Sequence, residues 1–154
     1  MKSPVPAGNV TEVFHPTIRN ARIAVIVPCF NDGETVEETI ASVKAAGDGL
    51  ELVVVDDGST DESTLAAFHR MEASGVRVIH QANTGLAGAR NTGLAATTAP
   101  YVYPLDADDL LIPGALDRLA AALDADRHAV VAWGDFEVFG DASFVQQSQY
   151  SPAP

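Results

Sequence analysis

Apolar residues recur along the chain in two alternating rhythms. Ile23-Ala24-Val25-Ile26-Val27, Leu52-Val53-Val54-Val55, Val76-Arg77-Val78-Ile79, Tyr101-Val102-Tyr103 and Ala129-Val130-Val131-Ala132-Trp133 are short β-rich runs. The first two are continuously apolar, as strands covered on both faces must be. Between the runs the spacing turns helical: Val36, Ile40 and Val43; then Leu65, Phe68 and Met71; then Leu116, Leu119 and Leu123. Residues 86–96 are Ala-rich and short of large side chains, and are read as one further helix. Boundary signals agree with this pattern. Thr35-x-x-Glu38 and Ser59-x-x-Glu62 fit capping boxes. Gly47 and Gly75 suit helix ends, and Pro113 suits the first turn of the last helix. Trp133, on a predicted strand, is read as a core residue, with a stacking platform for a sugar as the alternative.

Strand–helix alternation with short connections predicts an α/β fold, Rossmann-like, with a mostly parallel sheet and helices on both faces. Right-handed crossovers bring the C-terminal ends of such strands to one edge, where open α/β sheets bind ligands. Four loops, 28–33, 56–60, 81–88 and 106–109, are expected to converge there. Residues 1–21, with Pro4, Pro6, Gly8 and Pro16, are read as a flexible lead-in. Residues 22–140 form the expected domain, and 141–154 a tail or truncated end.

Composition narrows the function. Nine basic and twenty-one acidic side chains give a net charge of −12 among 154 residues. That balance argues against a nucleic-acid partner, which requires clustered Lys and Arg. The lone Cys29 cannot form an internal disulfide, so a reducing, cytoplasmic setting is expected. No run approaches the ~18 consecutive apolar residues of a spanning helix, and residues 1–20 lack the apolar core of a secretory signal.

The candidate chemistry lies at the predicted strand ends. Leu105-Asp106-Ala107-Asp108-Asp109 offers carboxylates in D-x-D spacing, a donor set suited to a divalent cation with oxygen ligands. Val53-Val54-Val55-Asp56-Asp57-Gly58-Ser59 forms a second acidic corner. The loop after the first strand, Pro28-Cys29-Phe30-Asn31-Asp32-Gly33, lacks both G-x-G-x-x-G and a Walker lysine. Simpler roles compete with these readings. Asp56 and Asp57 suit the N-terminus of the following helix, and Arg90 suits a structural ion pair. Cys29 has no base placed by sequence to activate it, and the histidines show no metal-ligand spacing.

Taken together and in order, Val25-Ile-Val-Pro-Cys-Phe-Asn31, Val53-Val-Val-Asp-Asp-Gly-Ser59, Asn83-Thr-Gly85 with Gly88-Ala-Arg-Asn91, and Leu105-Asp-Ala-Asp-Asp109 resemble a known family. They are similar to the nucleotide-sugar-binding half of family 2 glycosyltransferases of the GT-A fold, here incomplete at the C-terminal end. The resemblance implies a glycosyltransferase that takes a nucleoside-diphosphate sugar, a UDP-sugar by preference, with Mn2+ or Mg2+. Transfer would go to a saccharide, lipid or protein acceptor, with inversion. It places Pro28, Cys29 and Phe30 around the nucleotide base, with Asn31 ordering the loop. Asp57 would recognise uracil, since a carboxylate accepts an imide N–H that cytosine lacks. Asp56 would buttress the turn or touch ribose. Asn83, Gly85, Arg90 and Asn91 would complete the donor site, with Arg90 directed to a phosphate or an acidic turn. Asp108 would bind the metal directly, and Asp106 would face ribose or a metal-bound water. The general base of such an enzyme is expected outside this chain, which leaves a binding module without turnover as the alternative. A phospho-acceptor receiver domain is a distant one, because the only lysines are Lys2 and Lys44. Association of the parent protein with a membrane surface is compatible with the resemblance.

Overall fold

A computed structural model of the chain describes residues 11–12, 21–140 and 143–147. It divides into two compact units, 1–113 and 114–154.

The first unit contains β1 (Thr11–Glu12), β2 (Ile23–Cys29), α1 (Val36–Ala46), β3 (Glu51–Asp56), α2 (Glu62–Ala73), β4 (Arg77–His80), α3 (Gly85–Ala96) and β5 (Tyr101–Pro104). The strands form one sheet in the order β1-β4-β3-β2-β5. Four of them run parallel, with Val25 opposite both Leu52 and Tyr103, and Asp56 opposite His80. β1 closes the edge antiparallel to β4. Part of the stretch read as a lead-in is therefore a strand; residues 1–10 and 13–20 lie outside the described residues.

The chain steps outward from β2 to β3 to β4, then returns across the sheet to β5 on the other side of β2. With right-handed crossovers this reversal puts α1 and α2 on one face and α3 on the other, as expected from sequence. The switch point falls between β2 and β5. All seven residues of β2 are buried, the burial demanded of a central parallel strand. One side of the sheet presents Ile26, Val53, Val55 and Ile79 to Ala89 of α3. Each fully buried aliphatic side chain of this kind contributes about 1.5–3 kcal/mol.

Helix boundaries differ from the sequence reading in instructive ways. α1 begins after Thr35, but the Thr35 hydroxyl donates to the Asp32 carbonyl and makes no capping bond. The cap of α2 is Asp61 and not Ser59: its carboxylate accepts the Thr64 N–H at 2.9 Å. Ser59 is drawn instead into the preceding turn, where its N–H donates to Asp56 at 2.8 Å. The buried stripe of α2 is Thr64, Ala67, Phe68 and Met71, and Leu65 is exposed. The reason is close approach. A Cβ on Gly33 would stand 2.4 Å from the Thr64 nitrogen, so the loop lies directly on the helix backbone and admits only small residues there. Gly75 ends α2 as predicted. At φ +85 it donates to the Glu72 carbonyl while Val76 donates to Met71, a Schellman closure.

The second unit contains α4 (Ala115–Ala125), β6 (Phe136–Val138) and β7 (Phe144–Gln146). α4 starts after Gly114 in a left-handed conformation, so Pro113 precedes the helix and does not enter its first turn. Its Leu116 and Ala120 are buried. The strand expected over 129–133 does not form. Val130 is 90% and Trp133 58% exposed, which overturns the core reading of Trp133. An apolar run is only half of a strand; it also needs a ladder partner, and the pairing here joins β6 to β7, with Val138 opposite Phe144. β7 lies inside the predicted tail, whose residues 141–142 and 148–154 lie outside the described residues.

Candidate functional site

Four strand ends of the first unit deliver their loops to one edge, and the expected convergence is realised. Pro28 and Cys29 end β2, and Phe30 and Asp32 follow it; Asp57 follows β3; Asn83, Gly85, Leu86 and Ala89 come from the β4–α3 loop and the start of α3; Asp106, Ala107 and Asp108 follow β5. Together they line a cleft of about 340 Å3.

The loop after β2 is held by backbone geometry. Asn31 sits at φ +59, a left-handed conformation that Asn tolerates better than most residues. Its side-chain oxygen accepts the Thr60 N–H at 2.8 Å and the Asp61 N–H at 3.3 Å, and its own N–H donates to Ser59 Oγ. Asn31 thus ties the first loop to the second. Cys29 is buried, and that burial pushes its thiol up to about 12, so it lines the cleft as a small neutral group and not as a nucleophile.

The two carboxylates of the second loop have divided tasks. Asp56 is turned inward: Oδ1 accepts the Ser59 N–H, and Oδ2 lies 2.8 Å from His80 Nδ1. His80 Nε2 reaches Glu72 at 3.1 Å. Burial works against a charge on this imidazole, but the hydrogen bonds to Asp56 and Glu72 outweigh it and raise its pKa. Asp57 faces the cleft at 3% exposure, and its Oδ1 accepts from Thr84 N–H and from Gln81 Nε2. Gly58 makes this turn possible. It sits at φ +78, and a Cβ there would meet the Asn83 nitrogen at 2.8 Å.

Arg90 on α3 donates through Nη2 to Asp106 Oδ1, so it engages the acidic turn. Asn91 is exposed on the same helix and does not line the cleft. Asn31, Asp56 and Arg90 also stand outside the lining; Arg90 bonds the lining residue Asp106, while Asn31 and Asp56 bond residues of the 59–61 turn and, for Asp56, His80.

The acidic loop is anchored from α1. The Thr39 hydroxyl, fully buried, donates to the Ala107 carbonyl at 2.8 Å, and the Leu111 N–H donates to Ser42 Oγ at 3.0 Å. Asp106 and Asp108 both line the cleft, and Asp109 has its pKa raised by burial and by the charges of Asp108 and Asp106. Arg90 answers one of these charges. In donor type the carboxylates of this loop suit a hard divalent cation; Asp106 Oδ1 is engaged by Arg90, and Asp108 is exposed. Among the described residues no group of three or more His, Cys, Asp or Glu side chains is placed to hold a metal ion. Further oxygen ligands would come from a bound phosphate or water.

Sequence reasoning missed Asp32, Leu86, Ala89 and Ala107 in the lining, and Thr39, His80, Gln81 and Thr84 behind it. Thr39 did carry a signal, as a polar residue on the buried stripe of α1. The other supports are short-range neighbours of motif residues whose partners lie in another loop.

An acidic cleft at the switch point of a parallel sheet defines an α/β ligand-binding domain of the doubly wound class. The chain belongs to glycosyl transferase family 2, whose sequence model matches residues 24–151. It is similar to the uncharacterized glycosyltransferase EpsJ of Bacillus subtilis (strain 168), with 32% identity over 121 residues, 77% of this chain and 35% of EpsJ. Among solved structures it is similar to S. aureus TarS 1–349 in complex with UDP-GlcNAc, at TM-score 0.59 and 30% identity, covering 69% of this chain and 32% of TarS 1–349. It is also similar to the mannosyltransferase PcManGT from Pyrobaculum calidifontis in complex with GDP-Man and Mn2+, at TM-score 0.59 and 30% identity, covering 78% and 36%. These neighbours are GT-A glycosyltransferases, and the GT-A assignment made from sequence holds. The chain spans about a third of the length of these relatives. Among the described residues no helix is long and apolar enough to cross a membrane.

Proposed function

We propose that this chain binds the donor of a glycosyl transfer, a nucleoside-diphosphate sugar with uridine as its nucleoside, together with Mn2+ or Mg2+. The observation that carries the reading is the cleft itself. One wall is apolar and backbone-rich (Pro28, Cys29, Phe30, Leu86, Ala89), and Asp57, Asp106 and Asp108 project carboxylates from two separate loops. A planar base suits the first wall, with Asp57 accepting its ring N–H. Ribose and diphosphate then extend toward the D-x-D loop. In so acidic a surround a bare diphosphate is repelled. Asp108, with Asp106 beside it, would hold a divalent cation, which when bound supplies charge neutralisation to a departing diphosphate. The neighbours that bind UDP-GlcNAc, and GDP-Man with Mn2+, support this reading.

The reaction so served is displacement at the anomeric carbon with inversion. An acceptor oxygen bonds to that carbon, the carbon–oxygen bond to the diphosphate breaks, and the nucleoside diphosphate leaves with the electron pair. The acceptor's proton passes to a base that we place outside the described residues.

Calorimetric titration with UDP, with and without Mn2+, tests the reading. The expected result is binding that strengthens with Mn2+ in the parent and loses that dependence in Asp108→Ala. Equal Mn2+ dependence in both proteins would remove the metal assignment. Absence of UDP binding by the folded parent in either condition would remove the donor site.

A further inference from the structure

The Asp57 carboxylate is held by a closed ring of hydrogen bonds. Its Oδ1 accepts from the Thr84 N–H at 2.9 Å, from Gln81 Nε2 at 2.7 Å and from the Thr84 hydroxyl at 3.2 Å. Gln81 Nε2 also donates to Thr84 Oγ1 at 2.6 Å, which joins the two supports to each other. A carboxylate oxygen has about two lone-pair sites, so this ring uses Oδ1 up. The oxygen that Asp57 offers to the cleft is then Oδ2, in one orientation.

We propose that Gln81 and Thr84 are specificity-determining positioning residues, which clamp Asp57 Oδ1 so that Oδ2 selects a nucleobase with a ring N–H over one with a ring-nitrogen lone pair. The inference rests on the donor-site reading above and names how that site chooses its nucleotide. Uracil presents an N3–H to the acceptor. Cytosine presents a lone pair at the same position, and two acceptors facing each other across a hydrogen-bond distance repel. Discrimination of this kind depends on a fixed acceptor. A carboxylate free to swing about its last torsion would turn away from cytosine at little cost, and the difference between the bases would shrink.

The surrounding packing is arranged around the same ring. A Cβ on Gly88 would stand 2.2 Å from Thr84 Oγ1 and 2.6 Å from Thr84 Cβ, so the helix leaves room for the Thr84 side chain only because residue 88 has none. From the other side, the Gly58 turn presses on the Asn83 nitrogen, which holds the 81–84 loop against Asp57. Gln81 enters the loop directly from β4, its N–H bonded to the Asp56 carbonyl at 3.0 Å, and so it has a rigid base.

The test is calorimetric titration of the parent, Gln81→Ala and Thr84→Val with UDP and with CDP, folding being checked by circular dichroism. The parent is expected to favour UDP by about tenfold or more, the size of one charge-assisted hydrogen bond. In Gln81→Ala the UDP-to-CDP ratio should fall toward one, through loss of UDP affinity with CDP affinity little changed. Thr84→Val keeps the backbone donor and should shift the ratio the same way by a smaller factor; it carries the test if Gln81→Ala does not fold. A support that merely stabilises the loop would weaken both nucleotides equally, and an unchanged ratio overturns the proposal. Equal affinity of the parent for UDP and CDP overturns it too, while leaving the donor site standing. Failure of the parent to bind either nucleotide overturns both readings.

Discussion

Gly93 is the point at which α3 meets the sheet, and replacing it sets two known effects against each other. The residue is helical and has no positive φ, so Gly93→Ala should gain about 1 kcal/mol of helix propensity. Against that, the added Cβ would stand 2.3 Å from Ile26 Cγ2 and 3.3 Å from Ile26 Cβ and Cγ1. Carbon atoms at contact prefer about 3.5–4.0 Å, so the approach is more than an ångström too close. Ile26 cannot step aside. It is β-branched, stiff at χ1, and packed among Val53, Val55, Ile79 and Ala89. Overpacking a core costs about 1–3 kcal/mol, and the depth of this clash places it at the upper end. The net expectation is a loss of about 1–2 kcal/mol, the clash outweighing the propensity gain. Urea denaturation followed by circular dichroism measures it, best as a cycle with Ile26→Ala. Alone, Ile26→Ala should cost about 2–5 kcal/mol. In the Gly93→Ala background it should cost less, because the new methyl fills part of the space. A Gly93→Ala variant as stable as the parent, or a strictly additive cycle, would refute the reasoning. Because Gly85, Leu86 and Ala89 of the same helix line the cleft, the variant should also weaken nucleotide binding.

Three other perturbations probe the supports of the site. The His80 pKa is raised in the folded state, so protonated His80 contributes stability below its unfolded value near 6.5, and that contribution is lost as pH rises through the folded value. Melting temperature should therefore fall over this range in the parent and less so in His80→Gln, the charged neighbours being Asp56, Glu72 and, through Glu72, His69. A slope that is the same in both proteins would remove His80 as its source. Thr39→Val keeps the volume but strands the Ala107 carbonyl. It should cost about 1–3 kcal/mol in urea denaturation and weaken Mn2+-dependent UDP binding, because Ala107 separates Asp106 from Asp108. Cys29, with its thiol held near 12, should resist a thiol-labelling reagent at pH 8 until urea unfolds the chain. Rapid labelling of the native protein would contradict its burial.

Much of this protein was legible in the order of its residues. The continuous apolar runs at 23–27 and 52–55 could only be central parallel strands, and the helical spacing between them required crossovers. Handedness then places the four loops at one edge. Local chemistry marked the two acidic corners at 56–57 and 106–109, and the family resemblance singled out Asp57, Asp106 and Asp108 within them. What the sequence did not disclose depends on which neighbour arrives. The run at 129–133 has strand composition but joins no ladder among the described residues. Thr35 and Ser59 have capping chemistry, yet Thr35 bonds the Asp32 carbonyl and Ser59 is taken by Asp56 and Asn31. Asp56 and Asp57 are adjacent in sequence and alike in chemistry. Asp56, the last residue of β3, bonds His80, while Asp57 in the turn that follows lines the cleft. Periodicity and propensity are properties of short segments, so they can be read along the chain. Hydrogen-bond partners drawn from residues 24 to 69 positions away exist only once the sheet has brought those segments together.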